Sequence, residues 1–424
     1  MRWLLDLIYL GLALVTSPIW LARLIRTGKI RTDWPGRLGK ARISSPARQR
    51  ILVHAVSVGE VHAVRLLVEQ LAESRGRPEV VIATTTNTGF ARAESLFGSR
   101  HEVVRYPLDL SFAVERFLRR VRPDVVALVE LEVWPNFTAA CARRGIGVCV
   151  VNGRLSARSH RRYLRLGPLI RPSFRRLARV AVQSEAYAGR FAALGVGADD
   201  VEVTGTMKWD TAEISDHVEG AADLATAMGI DRGRPLIVGG STEPGEPELL
   251  AAAVPDGAQL LCAPRKPEWF EAAAAALPGC ARRSRGECGS ETGRFLLDTI
   301  GELRLAYALA DLVVVGRTFG SLHGSDMMEP VALGKATIVG PAVDDFQEIV
   351  ESLRAGGGLL QTDRAGLPAI VRELLADPGR RRKLADGGRA VIRAQQGATS
   401  RHVKLILSLL KGEDATEPNS PPRR

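Results

Sequence analysis

The sequence is short of cysteine. The five present, Cys141, Cys149, Cys262, Cys280 and Cys288, are odd in number, and no two have C-x-x-C spacing. This argues against a zinc site and a disulfide framework, and fits a reducing compartment. A small-x-small cleavage site before the first arginines is also lacking, and only Arg2 precedes the first apolar run. A cleaved signal peptide therefore fits poorly. Acidic residues are missing altogether between Asn152 and Glu185. That stretch carries one sign of charge only.

What is present fits a globular chain of more than one domain: 424 residues, 46% hydrophobic and 25% charged. The net charge of +11 favours acidic partners, whether nucleic acid, anionic lipid or phosphorylated substrates. Residues 3–22 are apolar over a length that could cross a bilayer core as a helix, and Arg23, Arg26, Lys29 and Arg31 follow at once. Asp6 and Pro18 count against a full span; a single anchor or a helix lying in the membrane face accommodates both. The basic flank places the domain that follows in the cytoplasm.

From Ile51 to about Asp210, short apolar runs alternate with helical spacing, as in Ile51-Leu52-Val53 and Val125 to Val129. A second alternating series starts at Leu236. Such alternation means βαβ units and a parallel sheet. The expected fold class is α/β, with two Rossmann-like doubly wound domains facing a cleft. The expected division is an anchor over 1–32, a first domain over 33–212, a second over 213–411 with closing helices, and a disordered polar tail over 412–424.

Ligands of such sheets bind outside the carboxyl ends of strands, beside helix N-termini. Several clusters fall there. His54-Ala55-Val56-Ser57-Val58-Gly59-Glu60 turns a strand into a helix expected over 61–74; Glu60 is a candidate general base, or simply an acid in a first helical turn. Glu130-Leu131-Glu132-Val133-Trp134-Pro135-Asn136 closes the strand at 125–129 with two carboxylates, which bind something, share protons, or merely accept backbone N–H groups. Arg154, Arg158, Arg161 and Arg162 begin a run of arginines to Arg179, read as an amphipathic basic helix for lipid phosphates or as a solvated face. Nucleic acid is the rival there, but no aromatic recognition motif accompanies the run. Thr204 to Asp210 offers Lys208 to an anion. Gly239-Gly240-Ser241-Thr242-Glu243-Pro244-Gly245-Glu246 reads as a glycine-rich turn, neither G-x-G-x-x-G nor a Walker loop, that could cradle phosphate with Ser241 and Thr242. Arg265 ends another strand. The loop from Gly316 to Glu329 ends in an acid able to take ribose hydroxyls, or to serve only as a first-turn charge.

Together these motifs resemble the 3-deoxy-D-manno-octulosonic acid (Kdo) transferases, glycosyltransferases of the two-Rossmann-domain GT-B class. The resemblance covers nearly the whole chain and also takes in Asn152 to Arg158, Pro264-Arg265 and Met328-Glu329-Pro330. It implies transfer of Kdo from CMP-Kdo to a lipid A precursor resembling lipid IVA, at the cytoplasmic face of the inner membrane, with no metal and no cofactor. It implies Glu60 as catalytic base and Glu130 as a second catalytic acid. Ser57, Lys208, Ser241, Thr242, Arg265 and Glu329 match donor or substrate positions, and Arg154, Arg158, Arg161 and Arg162 suit acceptor phosphates. The implied partners are CMP-Kdo, the lipid and an anionic membrane surface, not nucleic acid. The family's Gly-Gly-His-Asn run is replaced by Gly324-Ser325-Asp326-Met327. Its His after Ser-Thr is Glu243, its His after Pro-Arg is Lys266, and its early Glu is Gly36. A related GT-B transferase with another nucleotide sugar is therefore the alternative. A silent glycolipid-binding relative is a third reading, which the retained Glu60 and Glu130 oppose.

Overall fold

The computed structural model describes residues 2–17 and 32–410. The tail over 412–424, the end of the apolar run and its basic flank lie outside these. The chain forms two compact units. One comprises the residues up to Thr211 and those from Gln396 on; the other is Ala212–Gln395.

The first unit is built on β1 (Arg50–His54), β2 (Glu79–Thr84), β3 (Glu102–Arg105), β4 (Val125–Val129), β5 (Gly147–Gly153), β6 (Arg179–Val182) and β7 (Val201–Val203). They form one parallel sheet in the order β3-β2-β1-β4-β5-β6-β7. Every residue of β1 and β4 is buried, because helices cover both faces. Alternate side chains divide between two cores. Leu52, Val126 and Leu128 pack with Phe117 and Phe137; Ile51, Val53, Val125 and Val129 pack with Leu67, Val68 and Leu71. Each such side chain contributes about 1.5–3 kcal/mol on burial. The chain winds outward in opposite directions from the adjacent strands β1 and β4. This is the switch point where an open sheet binds ligands. His54 pairs in register with Leu128, so the segments after both strands emerge side by side.

Three helix expectations change. The stretch 61–74 is two helices, Val58–Ala63 and Arg65–Glu73; Ser57 caps the first, and Val64 leaves helical geometry between them. The basic stretch is also two, Ala157–Arg165 and Gly167–Phe174, separated where Gly167-Pro168 restarts the helix. The closing helix expected over 380–411 breaks at Gly397, whose φ of 98° is left-handed. Pro378–Gln395 belongs to the second unit, but Ala398–Leu407 packs in the first. The second domain thus ends at 395 rather than 411. The reason is a set of long-range contacts. Asp210 accepts the Gly397 and Thr399 N–H groups, both at 2.6 Å, and Val403 and Ile406 join the β1 core face.

The N-terminal helix is Arg2–Val15, 14 residues, or about 21 Å at 1.5 Å per residue. Among the described residues no helix is long and apolar enough to cross a membrane. The expected anchor is not shown among the described residues. Asp6 is buried and accepts from Ser111 N (3.0 Å), from the Ser111 hydroxyl and from Asn136 Nδ2 (2.9 Å). Leu7, Leu10, Leu14 and Val15 remain exposed.

The second unit holds β8 (Leu236–Thr242), β9 (Gln259–Pro264), β10 (Ala281–Arg282), β11 (Arg294–Leu296), β12 (Leu312–Val315), β13 (Ala336–Val339) and β14 (Leu360–Gln361). Their order is β10-β11-β9-β8-β12-β13-β14, again parallel. Here the switch point lies between β8 and β12. The first half of the expected glycine-rich turn is strand: Gly239 and Gly240 lie inside β8, where close packing requires them. A Cβ at Gly240 would fall 2.1 Å from Tyr307 Oη, and one at Gly239 2.3 Å from Leu250 Cδ1.

Candidate active site

In the first unit, Glu60 and Ser57 hold each other. Ser57 Oγ accepts from Glu60 N (3.4 Å), while the Glu60 carboxylate accepts from the Ser57 hydroxyl (2.8 Å) and Val56 N (2.9 Å). This is close to a capping box. The structural and chemical readings of Glu60 therefore coexist: its position is fixed and it stays half-buried at the switch point.

Glu130 follows β4 with a φ of 62°, a left-handed conformation uncommon outside glycine. Its N–H donates to Val151 O (3.0 Å), and Arg154 N donates back to Glu130 O (3.4 Å). Burial pushes the Glu130 carboxyl above its ordinary range. The Glu60 charge adds to this, whereas Arg154 and Lys208 pull it down. Glu60, Glu130, Arg154 and Lys208 thus share one electrostatic site.

Asn152, which sequence reasoning left without a role, joins the segment that carries Arg154 to the one that carries Lys208. It is buried, with a φ of 53°. Its N–H donates to His402 Nε2 (2.7 Å), and its Oδ1 accepts from Met207 N (3.2 Å), beside Lys208. Burial holds His402 down at about 4, so the ring is a neutral acceptor there. An Asn-Gly pair closing the apolar run 147–151 was the available signal; it falls at the irregular end of β5.

Arg158, Arg161 and Arg162 lie exposed on Ala157–Arg165, a helix with no buried residue. Of the four acceptor-phosphate candidates, only Arg154 is tied to the carboxylates. Lys208, expected with the donor residues, falls in the first unit.

In the second unit, Ser241, next to last in β8, has a φ of 57° and is half-buried, while Thr242, which ends the strand, is wholly buried. Arg265 is exposed, and its N–H donates to Thr242 O (3.0 Å). Thr242, Glu243, Pro264 and Trp269 line one small hollow. Burial raises the Glu329 carboxyl, Arg304 at 3.5 Å draws it back, and Asp326 raises it further. Glu246, missed as a site residue, has two buried oxygens that accept four backbone N–H groups. They come from Glu243 (2.9 Å), Arg317 (2.8 Å), Thr318 (3.2 Å) and Phe319 (3.1 Å). It ties the turn after β8 to the loop after β12. In the sequence it stood only as the last residue of the stretch Gly239 to Glu246, with no role of its own. Among the described residues no cluster of three or more His, Cys, Asp or Glu is grouped to hold a metal.

Residues 32–211 match the family described as 3-deoxy-D-manno-octulosonic-acid transferase (kdotransferase). The 3-deoxy-D-manno-octulosonic acid transferase of Bordetella pertussis is 35% identical over 417 residues, covering 92% of this chain and 95% of that protein. The chain belongs to the Kdo transferases. The Haemophilus influenzae family member is 32% identical, covering 96% of each chain. In fold, this Kdo transferase chain resembles a glycosyltransferase from Rickettsia africae, with a TM-score of 0.58 at 11% identity over 87% of this chain and 100% of that one. It also resembles Anabaena HepE in complex with UDP, with a TM-score of 0.57 at 13% identity over 85% and 99%. The two seven-stranded units are parallel-sheet domains of the GT-B glycosyltransferase kind.

Proposed function

We propose that the protein moves Kdo from CMP-Kdo to a lipid A precursor resembling lipid IVA, with Glu60 as general base. The observation that carries this reading is the set Glu60, Glu130, Arg154 and Lys208 at the switch point of a Kdo transferase chain. The Glu60 carboxylate takes the proton of an acceptor hydroxyl. The hydroxyl oxygen bonds the anomeric carbon of Kdo as the bond to phosphate breaks, and CMP leaves with the electron pair. A positioned base of this kind contributes roughly 10²–10⁴-fold. Glu130, less ready to ionise, orients groups near the base. Arg154 and Lys208 offset the charge of Glu130 and of anionic substrate groups. Ser57 fixes Glu60.

Ser241, Thr242, Arg265 and Glu329 serve the donor, Thr242 through its backbone because its side chain is buried. Arg158, Arg161 and Arg162 serve acceptor phosphates. The protein works at the cytoplasmic face of the inner membrane without a metal or cofactor. Its N-terminal helix lies in the membrane surface: Asp6 and Tyr9 turn inward, to Ser111 and Asp109, and four apolar side chains turn outward.

The test is CMP release from CMP-Kdo with a lipid A precursor in detergent, comparing wild type with Glu60→Ala. Release that needs both substrates and vanishes in the variant supports the reading. No release by folded, lipid-binding wild type sinks CMP-Kdo as donor. It then favours another nucleotide sugar, for which Asp326 beside Glu329 is the motivating change.

A further inference from the structure

His54 and Glu132 lie next to the proposed catalytic carboxylates, yet the reaction as described uses neither. His54 is wholly buried at the end of β1. Its ring stacks on Tyr106, with centroids 3.6 Å apart and planes 8° apart. Nδ1 lies 3.0 Å from Ala83 O. A carbonyl oxygen can only accept, so Nδ1 carries a hydrogen. Nε2 then faces Glu132 Oε2 at 3.7 Å. The same carboxylate accepts from the Trp134 indole (2.8 Å). A buried nitrogen lone pair with no donor, opposite a carboxylate whose side chain is 27% exposed, is unfavourable; one additional proton turns the contact into an attraction.

We propose that His54 and Glu132 are positioning residues that share this proton and so hold the left-handed Glu130 turn in its working conformation. The proposal rests on the reading of Glu60 and Glu130 as catalytic carboxylates. The turn has little slack. Glu130 is anchored at Val151, Leu131 packs against the core, and Glu132 is pinned two residues on by His54 and Trp134. Burial pushes the Glu132 carboxyl up, but the His54 ring and the indole outweigh that and keep it below the ordinary range. The other titratable groups around the pair are acids. Tyr106 lies under the ring, with Asp109 and Cys141 near its hydroxyl. Tyr163 and Glu130 face Glu132. Arg154 and Lys208 act on Glu130. Loss of the shared proton leaves Glu132 without its cation and frees the turn.

The experiment follows CMP release by the full-length protein across pH, using CMP-Kdo and a lipid A precursor, for wild type, Glu132→Gln and His54→Phe. Wild type loses kcat on the alkaline side, about tenfold per pH unit, with KM for CMP-Kdo changed less than twofold. Glu132→Gln loses this alkaline limb or shifts it by a pH unit or more, because an amide N–H can serve neutral Nε2 without an added proton. His54→Phe keeps the stack on Tyr106 but lowers kcat at least tenfold at all pH. Side-chain ¹⁵N spectra report the Nε2 proton without any substrate: present in wild type, absent in Glu132→Gln at the same pH. An unchanged alkaline limb and an unprotonated Nε2 in wild type would overturn the proposal. If His54→Phe does not fold, Glu132→Gln and the spectra decide. Full activity of Glu60→Ala would defeat the base assignment and leave the His54 spectrum untouched, so the two failures are separable.

Discussion

Replacing Glu246 by Gln tests how the candidate donor loops are held. In the wild type, one carboxylate oxygen takes the Glu243 and Arg317 N–H groups and the other takes Thr318 and Phe319. Gln has one oxygen and one NH₂. It can serve one pair, while the other pair of donors meets a donor. Hydrogen bonds to a charged acceptor contribute about 1.5–3 kcal/mol each, so two lost bonds amount to roughly 3–6 kcal/mol. Removing a buried charge returns part of this, because burial already works against the Glu246 anion. A net loss of about 3 kcal/mol is expected, a large share of the roughly 5–15 kcal/mol that holds a folded unit. For a unit of this size it lowers the melting temperature by roughly 6–12 °C. Scanning calorimetry of the full-length protein reads this directly. The fall should appear in the transition of the second unit, with a raised KM for the nucleotide sugar. A melting temperature within about 2 °C of wild type would show that the four N–H groups find other acceptors and that Glu246 does not organise the loops.

Burial raises Asp109 to about 6, while it accepts from Asn136 N and Phe137 N. Its folded value lies above the unfolded one. The folded state therefore holds the proton longer, and this group's contribution falls as pH rises from about 4 to about 6, by about 3 kcal/mol. Thermal melts of wild type and Asp109→Asn should diverge over that window in the variant's favour; parallel curves would refute the assignment. Asp210→Ala removes the acceptor of the Gly397 and Thr399 N–H groups and costs about 0.5–2 kcal/mol. Hydrogen exchange in Ala398–Leu407 should quicken severalfold while Pro378–Gln395 stays unchanged; equal exchange would show that core packing alone retains the helix.

Both sheets were legible because residues such as Ile51 to Val53 and Val125 to Val129 form unbroken apolar runs, which only strands covered on both sides require. Glu60 and Glu130 were legible as strand-end acids for the same reason. What escaped notice depends on partners far away in sequence. Gly239 and Gly240 looked like a turn because nothing local announces Tyr307 and Leu250 packing onto a strand. Lys208 joined the first unit through Met207 and Asn152. The two-residue strands β10 and β14 carry too little pattern to read. The 380–411 pattern hid its break, because Gly397 sits in an otherwise helical stretch and the acid that caps the next helix, Asp210, lies far upstream.

The return of the last helix to the first unit has a consequence for biosynthesis. The ribosome must make the whole second unit before Ala398–Leu407 can complete the first. Until then Asn152 lacks His402, and the turn that carries Arg154 and approaches Lys208 lacks its support. A chain arrested before residue 396 would contain every proposed catalytic and substrate-binding side chain, yet leave the β1 core face without Val403 and Ile406. The carboxylate site is thus completed only after the second unit has been synthesised.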